Sequence, residues 1–119
     1  MEGIIINKLH CSLQIRLAKE NIFFGPGVLT LLKLTGRYES LSAASKSMDM
    51  SYSKAYKMIK GAEKELGFKL LNRKIGGANG GGSTLTPECT DFLNLYEKFD
   101  KETKKNADMI FTKYLSRYT

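Results

Sequence analysis

The segment from Tyr52 to Leu66 separates hydroxyl and ammonium side chains from aliphatic ones. With about 3.6 residues per helical turn, the aliphatic side chains fall on a single face. That face contains Ala55, Met58, Ile59, Ala62 and Leu66. The opposite face contains Ser53, Lys57, Lys60, Gly61 and Lys64, with Lys54 and Tyr56 on its flanks. Ammonium groups neutralise phosphates and hydroxyl groups hydrogen-bond to base edges, so the pattern predicts a helix that can enter the major groove of DNA.

The polar residues at the start of this helix are the candidates for contacts with bases and adjacent phosphates, because recognition helices bring their N-terminal residues nearest to base edges. These residues are Ser51, Tyr52, Ser53 and Lys54, followed one turn later by Tyr56 and Lys57. Lys60 would contact a phosphate or a base at the edge of the groove. Either tyrosine could instead pack in the core and keep only its hydroxyl in water.

The positive charge of the chain is concentrated around the same segment. The 119 residues include 19 Lys and Arg against 12 Asp and Glu, a formal net charge of +7. Residues 1–36 contribute +2, residues 37–75 contribute +5, and residues 76–119 contribute zero. Such a concentration is typical of a surface that binds a polyanion, although a lysine-rich face is often simply solvated.

A shorter helix and a tight turn are predicted to position the recognition helix. Ser40 is a suitable N-cap for a helix from Leu41 to Met48, and Asp49-Met50 would form the turn. Ser51 is the N-cap of the next helix, and Gly67 stands where a left-handed residue ends it. Residues 41–66 therefore predict a helix-turn-helix.

A glycine-rich hairpin is predicted to follow. The apolar-bearing segments 69–75 and 84–86 flank eight residues of which five are glycine. Beside a helix-turn-helix such a hairpin is a wing, and its unhindered glycine N–H groups can approach a phosphate backbone. On the wing, the candidates for contact with flanking phosphates or the minor groove are Arg73, Lys74, Gly77, Asn79 and Gly80. On the helix before the recognition helix, Ser42 and Lys46 are candidates for contact with phosphates.

The N-terminal part predicts a β-hairpin over residues 9–24 and then a helix. Apolar and polar residues alternate from Leu13 to Ala18, and a polar break precedes Ile22-Phe23-Phe24. Pro26 could lie just inside the next helix, which is apolar almost all round from Val28 to Thr35 and is expected to end at Gly36. Such a helix would be buried on more than one side, for instance against a second subunit.

A long helix is predicted from Pro87 to about residue 115–117. Its apolar residues recur at helical spacing near both ends, around Phe92 and around Ile110, with a polar stretch between them. A helix of this length exceeds what one small domain can bury. We therefore expect a homodimer that forms through the first helix and the C-terminal helix. The alternative is that the helix folds back on its own hairpin.

Together these segments resemble a known family. The runs SLSAASKSMDMS and AEKELGFKLLNRK, a glycine-rich tip and LTPE resemble the winged helix-turn-helix of LysR-type regulators. SYSKAYKMI, GGANGGGSTLTPE and LQIRLAKENIFFGPGVLTLLK are similar to the DNA-binding domain of ModE-type, molybdate-responsive regulators, over roughly residues 12–100. The resemblance implies an α+β, mainly α, winged helix-turn-helix. It also implies DNA binding and dimerisation. The length of 119 residues suits one domain and not two, so we expect a single domain over residues 1–119.

Two residues depart from the pattern of that family. Asp49 stands where a turn glycine is usual, which predicts a left-handed aspartate with some strain. Ser45 replaces a customary alanine. Molybdate sensing is not implied, because no oxyanion-binding domain is expected within these 119 residues.

Other function classes have weaker support. Residues 77–84 superficially fit the spacing of a P-loop, but Ser83 stands where the phosphate-binding lysine is needed. One histidine and two distant cysteines, Cys11 and Cys89, provide neither a catalytic grouping nor a zinc site, so we expect no enzyme activity and no cofactor. No membrane segment or signal peptide is expected, which predicts a cytoplasmic protein. The remaining alternative is a winged-helix module for protein interaction that does not recognise a DNA sequence.

Overall fold

The computed structural model describes residues 7–74 and 82–119, with Lys74 described by its backbone alone. Their elements are β1 (Leu17–Ala18), β2 (Ile22–Phe24), α1 (Pro26–Tyr38), α2 (Leu41–Ser47), α3 (Tyr52–Leu66), β3 (Leu71–Lys74), β4 (Gly82–Leu85), α4 (Pro87–Leu115) and a final 3₁₀ turn, Ser116–Tyr118. The strands pair antiparallel, β1 with β2 and β3 with β4. This is a mainly α winged helix-turn-helix with an N-terminal hairpin and a long C-terminal helix.

Side-chain and backbone caps define the helix-turn-helix. The Ser40 hydroxyl accepts a hydrogen bond from the Ala43 N–H at 2.9 Å, and the Ser51 hydroxyl accepts one from the Lys54 N–H at 3.1 Å. Gly67, with a φ of 83°, ends α3 in the left-handed conformation. A serine N-cap of this kind typically contributes about 1 kcal/mol. The start and end of α3 are therefore set by local hydrogen bonds of the predicted type.

The N-terminal hairpin is shorter than the alternating pattern suggests. The side chains do alternate in burial, since Leu13 and Ile15 are half-buried and Gln14 between them is exposed. The strand β1, however, contains only Leu17 and Ala18. Upstream of β1, the Ile15 carbonyl accepts a hydrogen bond from the Tyr96 hydroxyl of α4 at 2.6 Å. This segment therefore packs on α4 instead of forming a strand ladder.

The first helix does not end at Gly36 as the sequence suggested, but continues to Tyr38. Its left-handed C-cap is Glu39, with a φ of 53°. A Cβ atom on Gly36 would lie 3.1 Å from a methyl carbon of Leu85 in β4. Gly36 is thus the place where the wing packs closely on α1, and it does not act as a cap.

The core lies where α1, α2, α3 and the start of α4 meet. Its fully buried members include Leu31, Leu32 and Leu70, and alanines are buried where the helices approach closely. Phe24 packs edge-on against Phe92 and Tyr96, with ring centroids 5.0 and 4.9 Å away. Nearby, burial raises the pKa of the Cys89 thiol to about 12, so this cysteine stays protonated and unreactive near neutral pH.

Asp49 adopts the left-handed conformation expected for the turn between α2 and α3, with a φ of 55°. Because a side chain in that region is strained, Asp49→Gly is expected to raise the free energy of unfolding by about 0.5–1 kcal/mol, net of the added flexibility of the unfolded chain. Urea titration would measure it. Gly67→Ala, at the other left-handed turn of the motif, should lower stability by a similar amount. A destabilised Asp49→Gly would contradict the assignment of strain.

Candidate nucleic-acid interface

The recognition helix α3 is held down by one face and exposed on the other. Ala55, Ile59 and Ala62 are buried against neighbouring elements, and Met58 and Leu66 are half-buried. The opposite side is solvent-exposed and contains Ser53, Lys54, Tyr56, Lys57, Lys60, Gly61 and Lys64. We call these seven residues the α3 face. The side chains that the sequence assigned to it are therefore turned outward.

The lysines of the α3 face differ in their partners. Lys60 forms an ion pair with Glu63 at 3.3 Å, one turn along the helix. Neither Lys54 nor Lys57 has an ion-pair partner within residues 7–74 and 82–119. Their ammonium groups are available for phosphates or for acceptor atoms of bases.

The two acidic residues of α3 are directed toward protein groups. The Glu63 side chain is only 11% exposed, and its carboxylate accepts a hydrogen bond from the Leu70 N–H at 2.8 Å. Glu65 lies 4.0 Å from the ammonium group of Lys19 in the N-terminal hairpin. The Glu63 carboxylate offsets part of the charge of Lys60, but neither carboxylate forms an ion pair with Lys54 or Lys57, whose positive charges are left to the exposed surface.

Tyr52 and Tyr56 form an aromatic pair at the surface, not in the core. They are 41% and 39% exposed, and their rings stack with centroids 6.2 Å apart. The Lys60 ammonium and the Arg73 guanidinium lie 5.5 and 5.8 Å from the centre of the Tyr56 ring. Arg73, on β3 of the wing, also donates a hydrogen bond from Nη2 to the Tyr52 hydroxyl. This cluster connects the wing to the start of α3.

The remaining candidate contact residues lie on α2, at the N-cap of α3 and on the wing. Ser42 and Lys46 are exposed on α2, and Ser51 is exposed although its hydroxyl caps α3. The backbone of Lys74 pairs with Gly82 in the wing, and the structure describes this residue by its backbone alone. Gly77, Asn79 and Gly80 lie outside the described residues.

The contacts that hold the wing in place could not be identified from the sequence. The Ser83 N–H donates to the Glu39 carbonyl at 3.0 Å, and a Cβ on Gly82 would lie 2.4 Å from the same oxygen. Only a glycine fits at that approach. Gly82 was visible in the sequence as part of the glycine-rich tip, but nothing there indicated that Glu39 was its neighbour.

The described part of the chain also contains an open cleft, but no cluster of metal-binding side chains. Between the hairpin, the start of α1 and α3 lies an open cleft of about 630 Å³ whose lining includes Arg16, Phe23 and Glu65. Residues 7–74 and 82–119 contain no group of three or more His, Cys, Asp or Glu side chains that could hold a metal ion. Over the same ranges, no helix has the length and apolar character needed to span a bilayer.

Comparison with known proteins identifies the family to which this chain belongs. The family described as bacterial regulatory helix-turn-helix protein, lysR family, matches residues 28–90, which is more than half of the chain. The transcriptional regulator ModE of Haemophilus influenzae is 33% identical over 89 residues, covering 75% of this chain and 34% of that protein. The chain thus spans about a third of the length of this curated relative. The match extends from α1 through the wing to the start of α4, and by it the chain belongs to the LysR family of bacterial regulatory helix-turn-helix proteins, with a ModE-like sequence.

Proposed function

We propose that this protein is a sequence-specific transcriptional regulator that binds double-stranded DNA with α3 in the major groove. The observation that supports the proposal is the α3 face, where hydroxyl groups lie beside the ammonium groups of Lys54 and Lys57, which have no ion-pair partner among the described residues. An α-helix fits the width of the major groove, and donors and acceptors on one face can recognise base edges. Membership in a family of bacterial regulatory proteins supports the same function.

The proposed contacts follow from where each side chain lies. The N-terminal half of α3, from Ser51 to Lys57, would meet bases and the nearest phosphates, and Lys60 would lie at the edge of the groove. Ser42 and Lys46, exposed on the preceding helix, would bind phosphates. For Lys74, Gly77, Asn79 and Gly80, contact with the flanking backbone rests on the sequence pattern alone.

We further propose that two copies associate through α1 and α4. Several large apolar side chains of α4 are exposed, so the rest of the described chain does not cover them. They include Leu95, Phe99, Met109, Ile110 and Tyr114. The first half of α4 contacts the N-terminal segment, because the Tyr96 hydroxyl donates a hydrogen bond to the Ile15 carbonyl. A second copy related by a two-fold axis would cover the rest. Such a dimer would bind a palindromic site whose half-sites are about 10 base pairs, or a multiple of that, apart.

Titration of labelled duplex DNA with the protein tests the proposed function. Duplexes enriched by selection from a random pool should bind about 10³-fold or more tightly than unselected duplexes. Between about 50 and 200 mM salt, the affinity should fall with a log–log slope of about −0.9 for each phosphate contacted. The complex should contain two chains for each palindromic duplex.

The competing function makes the opposite prediction in the same experiment. A winged-helix module for protein interaction would bind selected and unselected duplexes equally weakly, and α4 would be its working surface. No enrichment during selection, together with no salt-dependent binding, would therefore contradict regulation through DNA.

A further inference from the structure

Arg73 has a different environment from the one its sequence position suggested. On the wing it was expected to contact a flanking phosphate or the minor groove, and in the structure its guanidinium donates to the Tyr52 hydroxyl and lies beside the Tyr56 ring. We propose that Arg73 is a positioning residue that makes the Tyr52 hydroxyl a hydrogen-bond donor toward acceptor atoms on base edges. This inference rests on the proposed function, since it assigns the chemistry by which α3 would distinguish bases.

The direction of the hydrogen bond between Arg73 and Tyr52 follows from their chemistry. A guanidinium group has N–H donors and no acceptor, so the Tyr52 oxygen must be the acceptor. The single hydrogen of the hydroxyl is therefore not used by Arg73. No described residue accepts this hydrogen, so it can be donated to another group, whereas one lone pair of the oxygen is occupied. By occupying a lone pair of the oxygen, Arg73 thus favours donation by a group that could otherwise donate or accept.

The position of Tyr52 suits a contact with DNA. It is the first residue of α3, the end of a recognition helix that lies nearest to base edges, and 41% of its surface is exposed. The ring is held from two sides, because Arg73 bonds its hydroxyl and Tyr56 stacks on it with an interplanar angle of 25°. A side chain that is already ordered loses less entropy when it binds.

A Tyr52 hydroxyl that acts as a hydrogen-bond donor distinguishes between bases in the major groove. Guanine presents N7 and O6 acceptors, adenine presents N7, and thymine presents O4. Cytosine presents an amino group there, which cannot accept a hydrogen bond. The arrangement therefore predicts that one position of each half-site accepts guanine, adenine or thymine and disfavours cytosine on the strand that Tyr52 contacts.

Two substitutions at the pair test the assignment. On duplexes enriched by selection with the wild type, Tyr52→Phe and Arg73→Met are each expected to reduce discrimination against cytosine at one position by about tenfold. The double variant should lose no more than either single variant, because both changes remove the same directed donor. Discrimination at all other positions should be retained. Tyr38→Phe, which removes an exposed tyrosine hydroxyl on α1, is the matched control and should change nothing.

The salt dependence separates this inference from a simple phosphate contact. A positioning role predicts that Tyr52→Phe leaves the log–log salt slope unchanged. If Arg73 bound a phosphate, Arg73→Met would reduce the slope by about 0.9 and weaken all sequences equally, and Tyr52→Phe would leave base preference intact. That combination would overturn the inference, as would uniform weakening by Tyr52→Phe. A wild type that binds no duplex would refute the proposed function itself.

Discussion

Reversing the charges of Lys54 and Lys57 together is expected to weaken duplex binding by about 10³-fold at about 150 mM salt. Both ammonium groups are exposed one helical turn apart, and neither has an ion-pair partner in the described part of the chain. Each phosphate contact contributes about 1 kcal/mol at this ionic strength, and a glutamate in the same place adds repulsion of similar size. The two substitutions together are therefore expected to cost about 4 kcal/mol of binding free energy.

The matched control for this double variant lies on α4. Lys98 and Lys101 are also exposed lysines three positions apart, and replacing both by glutamate lowers the net charge by the same amount. Fluorescence titration at several salt concentrations should show a smaller affinity and a flatter slope only when Lys54 and Lys57 are replaced. Equal losses in the two variants would show that overall charge, and not the α3 face, determines binding.

The parts of the interface that could be predicted from the sequence are those set by local chemistry. Ser51 caps α3 through the N–H of a residue three positions away, and Gly67 ends the helix through its own backbone conformation. The separation of Lys57 from Ile59 across the helix follows from helical geometry alone. Such features need no knowledge of the rest of the fold, and they determine which face of α3 is exposed.

The parts that could not be predicted depend on residues distant along the chain. Arg73 is 21 positions from Tyr52, and the sequence contained no sign that the two meet. The Glu63 carboxylate was indistinguishable from a solvated helix residue, yet it accepts the Leu70 N–H where β3 approaches. The approach of Gly82 to Glu39 likewise depends on how the wing folds over α1. In each case tertiary packing assigns a role that periodicity and composition do not encode.

The N-terminal hairpin illustrates a third situation, in which the pattern indicated burial correctly but not its cause. Alternation between Leu13 and Ala18 was interpreted as strand pairing, whereas only Leu17 and Ala18 form a strand and the Ile15 carbonyl accepts a hydrogen bond from α4. Period-2 alternation indicates an extended chain with one covered face. It does not reveal whether another strand or a helix covers that face. The residue of the hairpin that is buried most completely is Phe24, on β2.

Phe24→Ala is expected to lower the free energy of unfolding by about 3–5 kcal/mol, the usual cost of removing a buried aromatic ring. The ring is 1% exposed and contacts Phe92 and Tyr96 of α4 edge-on, so the substitution leaves a cavity between the hairpin and the long helix. Since whole small domains are stable by only about 5–15 kcal/mol, a change of this size should be evident in urea or thermal unfolding.

A control within the same strand distinguishes burial of the ring from the hairpin itself. Ile22, two residues earlier on β2, is 65% exposed, and Ile22→Ala should change stability by no more than about 0.5 kcal/mol. β2 also packs on α3, so loss of the Phe24 ring should loosen the support of the recognition helix as well as the attachment of α4. Phe24→Ala should therefore weaken duplex binding at temperatures where part of the protein is unfolded. If Phe24→Ala were as mild as Ile22→Ala, the hairpin would contribute little to stability, and the position of α3 would depend on α1, α2 and the wing.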